Sequence, residues 1–566
     1  VLRSGLTKCQ SVFVSGLALV APDRLGYPGP MRAALPYLLA LLLTTPIAVV
    51  LSLQPFPPLQ DLPQHLLVAR LSVTPAQERP PEVIDQPAGM PLPYRPIYSA
   101  LSLAGPDSVL LLGRLSVALA VLCAAFCAVY AGSAQENYDP WLLATSGIAA
   151  GGFMLWSGFL AFLLAMAPLL LLVGAFARLL GDAPPARPLS IGLAAALLLY
   201  LLHPLVALLG AAIALVAIVL SLMPDSKAAR PHLLALGLTA CVGAALSTAI
   251  VLSGSPEQSG PGLLSAALDA RDLPKRLWLL LDAQGIHLAE GRRGLARFLS
   301  LAMLLGLALP RLGAIRGDHE GPADARPGQT LVRIACAGSA LATLVLPFHY
   351  GSLHYFGTRF ALPAWLLLPA ALGAVPVPNK RLRRGSRILA FGSALGLSLL
   401  TANGLQLAGD ELVPLEEIGA VLKRESKPIR LFPLSMQWRS QVVVRIVDNS
   451  LSAHDYALVI AGGVSPHLFT NPLLPIQLES SKRLRSPPLT EPLRYDPRRH
   501  GRGASHLLLR LPPFPPGSPP PGLKRFLERI ANDYRPLCKS GAWRLYRRRL
   551  KSGGRRVPKR SNSRAG

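Results

Sequence analysis

The chain has 566 residues, 51% of them hydrophobic and only 15% charged, with a formal net charge of +27. A water-soluble chain carries about 25% charged residues. This composition therefore excludes an ordinary soluble enzyme and weakens the soluble metal, disulfide and nucleic-acid templates. Several apolar runs approach the roughly 20 residues that cross a bilayer, and a polytopic membrane protein follows.

Residues 1–33 are set apart as an N-terminal extension of open status. The apolar stretch from Val12 to Val20 is too short to span, and Met31 offers a better start than Val1. The expected membrane domain covers 34–406, with spans at Ala34–Leu53, Ser108–Tyr130, Trp141–Leu155, Gly158–Leu180, Pro188–Leu202 and Pro204–Leu222. Further spans are expected at His232–Leu252, Leu295–Pro310, Leu331–Pro347, Phe360–Val375 and Arg387–Gln406. That makes about eleven, of which the third, fifth and tenth are short for a bilayer. Long loops are expected at 54–107 and 253–294. Cys123, Cys127, Cys241 and Cys336 fall inside apolar runs and read as small core residues.

Lysine and arginine set the orientation. With the chain start inside, the inner loops carry Arg178 and Arg187, Lys227 and Arg230, Arg311, Arg316, Arg326 and Arg333, then the dense "NKRLRRGSR" before the last span. The short outer loops are nearly free of both. This arrangement places the first long loop, the "LLHPL" corner, the "YFGTRF" segment and everything after residue 410 outside.

From Glu411 onward the chain holds 29 Lys plus Arg against 11 Asp plus Glu, which is 29 − 11 = +18 of the total charge. Short apolar runs at "IRLFPL", "VVVRIV", "YALVIAG" and "HLLLRL" read as strands. "GLKRFLERIANDY" reads as a helix and "GAWRLYRRR" as a final strand. Residues 410–550 are therefore expected to form a small extracytoplasmic α/β domain. Residues 551–566 read as a basic disordered tail whose charge alone specifies no partner. The fold class is mainly α: a polytopic helical membrane protein with this small C-terminal domain.

The segment "FPPLQDLPQHLLVAR" (56–70) sets an acid, a histidine and an arginine just past the first span. Asp61, Pro63 and Gln64 match a helix start, with Asp61 as N-cap and Gln64 at the capping-box position. "HLLVARL" then reads as a short amphipathic helix lying on the membrane. A capping role and a catalytic role for Asp61 are both open on this chemistry. His65 follows by one helical turn and shares the face. It reads first as an ordinary interfacial polar residue, with metal binding or tuning of the acid as the alternatives, and it is one of the substrate-binding candidates.

This layout resembles the GT-C superfamily of membrane glycosyltransferases: a first span, then a long outer loop opening on an acid. Further similarity lies in "WSGFLAFLLAMAPLLLL", "LLHPLVALL", "YFGTRFALPAWLLLPAAL", "DYALVIAGG" and "GAWRLYRR", over roughly residues 34–550. The resemblance implies a sugar donor carried on polyprenyl phosphate, transfer to a lipid, glycan or protein acceptor at the outer face of a bacterial inner membrane, and Asp61 as catalytic base. Many members carry paired acids or Asp-x-Asp. Here Leu62 and Pro63 follow Asp61, so no metal or other cofactor is assigned.

Such chemistry needs a base for the acceptor proton and a cation for the departing phosphate. A guanidinium pairs two phosphate oxygens at once. Arg359 in "GTRF", at the outer end of the tenth span, is the candidate, with snorkelling to the interface as its alternative. His203, Tyr94 and Arg95 are further substrate-binding candidates at the same face. Asp282, His287 and Glu290 in "LDAQGIHLAE" have no spacing that forces a metal site. The expected partners are the polyprenyl-phosphate donor and membrane lipids, with no nucleic acid. The rival readings are a transporter or flippase for lipid-linked sugar and a non-catalytic scaffold of an envelope pathway. A transporter would show internal repeats and broken polar helices at the midplane, and the sequence shows no clear repeat.

Overall fold

A computed structural model describes residues 29–549, apart from segments 86–92, 135–137, 224–229, 254–272, 282–287, 316–325, 373–378, 437–451, 469–473, 479–491 and 512–520 and a few single positions between them. Asp282, His287, the "VVVRIV" segment and residues 551–566 lie outside the described residues, as does the side chain of Glu290.

The first helix, α1 (Gly29–Leu53), leads into α2 (Leu62–Val73), the short strand β1 (Val83–Asp85) and α3 (Arg95–Ser102). Then come α4 (Val109–Gly132), the small helices α5 (Pro140–Ala144) and α6 (Phe153–Trp156), α7 (Leu160–Leu179), α8 (Ala186–Leu202), α9 (Pro204–Leu220) and α10 (Arg230–Ser253). After α11 (Leu273–Leu281) follow α12 (Glu290–Ile315) and α13 (Pro327–Val345). The two-residue strands β2 (His349–Tyr350) and β3 (Leu353–His354) lead to a 3-10 turn at Gly357–Phe360, then α14 (Ala361–Leu372) and α15 (Lys380–Asp410).

Seven of these helices are long and apolar enough to cross a membrane: α1, α4, α7, α10, α12, α13 and α15. Helices α8, α9 and the turn with α14 are shorter apolar helices. The third expected span is broken. Residues Thr145–Gly151 between α5 and α6 form a 3-10 helix, and every one of them is buried. Small residues let that segment press against its neighbours. A Cβ on Gly147 would lie 2.9 Å from the Ala125 methyl and 3.0 Å from that of Thr44. Close packing at the bundle centre outweighs helix regularity there. Helices α10, α8, α7, α4, α1, α15 and α12 pack successively, while α13 and α14 close over α7, α9 and α4.

The C-terminal domain holds α16 (Pro414–Lys423), β4 (Leu431–Ser435), α17 (Asp455–Ala461), β5 (Ile476–Leu478), β6 (His506–Arg510), α18 (Pro521–Asp533), β7 (Tyr534–Ser540) and β8 (Trp543–Arg548). Its sheet runs β4-β6-β8-β7, with β4 parallel to β6 and the other pairs antiparallel. Alternation divides the sheet. Phe432, Leu507 and Leu509 pack with Phe526 and Ile530 of α18 in one core, while Leu431, Leu508 and Leu545 face the main core. "YALVIAG" is helix α17 rather than a strand. Its apolar run is buried except at half-buried Ile460, and such a run shows no period that separates strand from helix.

This domain is fastened to the first loop. β1 pairs with β5 antiparallel, and Arg430 holds Glu82 through two hydrogen bonds of 2.9 and 2.8 Å. Residues 54–85 and the C-terminal domain therefore share one end of the bundle. Helix α2 does not lie on a lipid surface. All but three of its residues are buried, wedged between α3, α4 and α17.

Candidate active site

The sequence after α1 turns back into protein rather than out to water. Gln60 N–H donates to the Trp156 carbonyl at 3.0 Å, and Asp61 N–H to that of Ser157 at 3.2 Å. Gly158 makes this contact possible. Its φ is +71°, a region that favours glycine, and a Cβ there would sit 2.7 Å from the Asp61 nitrogen and 2.8 Å from that of Leu62. The "WSG" turn thus fixes the backbone that carries Asp61.

Asp61 occupies the cap position of α2, yet its side chain makes no capping hydrogen bond. Gln64, at the capping-box position, donates instead to Ser452 Oγ at 3.3 Å. The carboxylate makes no hydrogen bond or ion pair among the described residues. Part of its surface is accessible, yet protein surrounds it on almost all sides, so it lies deep in a cleft. Loss of water pushes its pKa up to about 7, against the pull of Arg359. Burial of a charged form without solvent or a close partner has this sign.

Arg359 lies in the 3-10 turn before α14, only 9% exposed, with its guanidinium 4.2 Å from the centre of the Phe159 ring. That contact stacks cation on aromatic face and keeps the guanidinium among protein groups. Its field reaches both Asp61 and Tyr94.

His65 Nδ1 and the Tyr98 hydroxyl are 2.7 Å apart. Burial holds the imidazole down to about 4, so it is neutral at physiological pH. Burial likewise raises the Tyr98 phenol, with further contributions from Tyr94 and Asp61. Tyr94 stands at the head of α3 with φ 72°, the one non-glycine residue with positive φ among those described. Its N–H donates to the Leu201 carbonyl at 3.0 Å. Its ring meets His203 edge-on at 5.5 Å, and Phe162 meets the other side of His203 at 5.4 Å. A side chain held at such a backbone angle is over-determined by its surroundings, as is common at functional sites. Burial pushes its phenol up to about 12. His203 sits between α8 and α9, with Pro204 opening the second helix where a missing N–H costs nothing.

Beside this cluster an apolar groove of about 340 Å³ runs between α9 and α13. Leu205, Leu209 and Ile213 line one wall and Leu331 and Ala335 the other, and Phe360 also lines it. Leu208 and Ile334 line it and are also exposed, so it opens on the outer surface of the bundle. Phe360 follows Arg359 in the 3-10 turn, so the groove borders the turn that carries the guanidinium.

No family model matches the chain. No curated protein matches it either. Among solved structures it is similar to ArnT from Cupriavidus metallidurans in the apo state, at 11% identity over 89% of this chain and 97% of that one, with a TM-score of 0.47. It is also similar to the same protein bound to undecaprenyl phosphate, at 13% identity over the same shares, with a TM-score of 0.43.

The structure draws together Asp61, His65, Tyr94, His203 and Arg359. Arg95 is half-buried one position beyond Tyr94, at the start of α3. Among the described residues no group of three or more His, Cys, Asp or Glu side chains converges as a metal site would require. Sequence reading missed Tyr98, Phe159 and the Ser157–Gly158 turn. Tyr98 lies one helical turn after Tyr94, a spacing that signals a shared face. "WSG" reads only as a gap between spans, because nothing local says which backbone it touches. Chemically, the site offers one carboxylate able to take a proton near neutral pH, a buried cation for an anion, and neutral hydrogen-bonding rings around them.

Proposed function

We propose that this chain is a GT-C-type membrane glycosyltransferase, using a sugar carried on polyprenyl phosphate at the outer face of a bacterial inner membrane. The observation that carries the reading is a carboxylate without a hydrogen bond or ion pair among the described residues, within the field of a buried guanidinium whose neighbour Phe360 lines an apolar groove. The isoprenoid chain lies in the groove between α9 and α13, which puts its phosphate at Arg359. Asp61 accepts the acceptor's hydroxyl proton as that oxygen attacks the sugar's anomeric carbon. The anomeric C–O bond to phosphate breaks, and the charge left on the lipid phosphate is met by Arg359. Tyr94, Tyr98, neutral His65, His203 and Arg95 surround the sugar with donors and acceptors.

The orientation rests on the lysine and arginine distribution. It is supported by the shared location of the first loop and the C-terminal domain, which requires an even number of crossings between them. Purified protein in liposomes, given a radiolabelled polyprenyl-phosphate sugar, tests the reading. With a hydroxyl acceptor supplied, label should move from the donor lipid to that acceptor with wild-type protein. Asp61→Asn should transfer at least about 10²-fold more slowly, the scale of lost general-base catalysis. Movement of intact labelled lipid between leaflets without transfer would replace the enzyme by a flippase.

A further inference from the structure

Asp61 lies between two points at which the C-terminal domain grips the first loop. Upstream, the Tyr456 hydroxyl donates to the Pro57 carbonyl at 2.5 Å, with its ring 5.1 Å from that of Phe56. Tyr456 is wholly buried. Downstream, Gln64 reaches Ser452, and Arg70 Nη1 donates to the Val459 carbonyl at 2.6 Å. The gripping segment runs from Ser452 into α17, and the start of that helix is itself fixed. Ser465 Oγ donates to Asp455 Oδ1 at 3.0 Å, and His454 Nε2 lies 3.1 Å from the same oxygen. These groups are buried, so the network orders α17 where water does not compete.

We propose that Tyr456 and Ser452 are positioning residues for Asp61: the C-terminal domain is a clamp that holds the Asp61 turn at its depth beside Arg359. The inference rests on Asp61 being the base. The "WSG" turn restrains residues 60 and 61 from the bundle side. Tyr456 and Ser452 restrain residues 57 and 64 from the other. A turn held on one side only has room to shift, and a shift of about 1 Å in a reacting group costs on the order of 10²-fold in rate.

The test uses full-length protein in liposomes with a labelled polyprenyl-phosphate sugar. Tyr456→Phe removes one hydroxyl and keeps the ring. It should lower kcat about tenfold with the donor KM unchanged. It should also move the acid limb of the rate profile to lower pH, because a slack turn readmits water to the carboxylate. Ser452→Ala should do the same more weakly, and it carries the test if the first variant does not accumulate folded. Tyr534→Phe breaks the 2.8 Å hydroxyl pair with Tyr495 in the far core of the same domain and should leave kcat and the limb alone. A second readout needs no turnover. In an Asp61→Cys background, alkylation of that site by a charged maleimide, followed by mass spectrometry, should quicken when Tyr456→Phe is added. Unchanged kcat, limb and alkylation in Tyr456→Phe and Ser452→Ala would overturn the clamp, as would an equal loss in Tyr534→Phe. A wild-type protein without transfer, but with quickened alkylation, would keep the clamp and remove the glycosyltransferase reading.

Discussion

Asp139 with Arg387, and Asp61 with Arg359, are built oppositely. Asp139 is saturated. One oxygen accepts the N–H groups of Trp141 and Leu142 and caps α5, while the other takes Arg387 Nε at 2.7 Å. Asp61 and Arg359 interact through the field alone. Asp61 spends no oxygen on a cap, and Arg359 stacks on Phe159. A saturated carboxylate has its lone pairs committed and stabilises structure. One left unpaired in a cleft costs stability and stays available for a proton, which is how a site trades stability for reactivity.

The sharpest way to break the contrast is to displace Asp61 without touching its chemistry. Gly158→Ala puts a methyl against the Asp61 nitrogen at a strained backbone angle. Transfer should fall by about 10²-fold, with α-helical content by circular dichroism unchanged. Wild-type turnover would mean that the turn does not position the acid.

The partner experiment is Asp139→Asn. It should destabilise the fold by about 2 kcal/mol in thermal unfolding, since one member of a largely buried pair loses its charge, while turnover of the folded fraction stays near normal. A selective loss of turnover at full stability would erase the distinction between the two pairs.

The smallest expected change is at the cation. Arg359→Lys keeps the charge but loses the two-oxygen fork and the flat stack on Phe159. Roughly tenfold slower transfer, about 1.4 kcal/mol, is expected, with membrane insertion intact. Full activity with a lipid-linked donor would remove Arg359 from the phosphate.

Much of this was legible in the chain. Apolar runs foretold most of the helices, and "IRLFPL", "HLLLRL" and "GAWRLYRRR" foretold β4, β6 and β8, because burial leaves short apolar runs bounded by polar or turn residues. Asp61, His65, Tyr94, His203 and Arg359 were singled out by chemistry that is expensive near a membrane. What stayed hidden depends on contacts distant in sequence. Asp61 fits a cap locally, and only the folded geometry shows that its backbone is held by Ser157 and Gly158 and that its side chain makes no capping bond. The broken third span reads as continuous because glycine and alanine are apolar, although their small size is what allows the 3-10 segment. α17 reads as a strand because both of its sides are buried.

The measurement that bears most directly on Asp61 is turnover against pH for wild-type protein and Asp61→Asn, with thermal stability recorded on the same samples. The base must be ionised, so wild-type kcat/KM should rise with pH through about 7 and level off above it. The variant should be slow and flat across that range. Stability should run the other way. The folded pKa of Asp61 is raised, so its contribution is fully present below pH about 4 and lost as pH rises through about 7. The variant should therefore match wild type in acid and become the more stable of the two above pH 7. A wild-type profile without a limb near 7, or an Asn variant that turns over normally, would contradict the account.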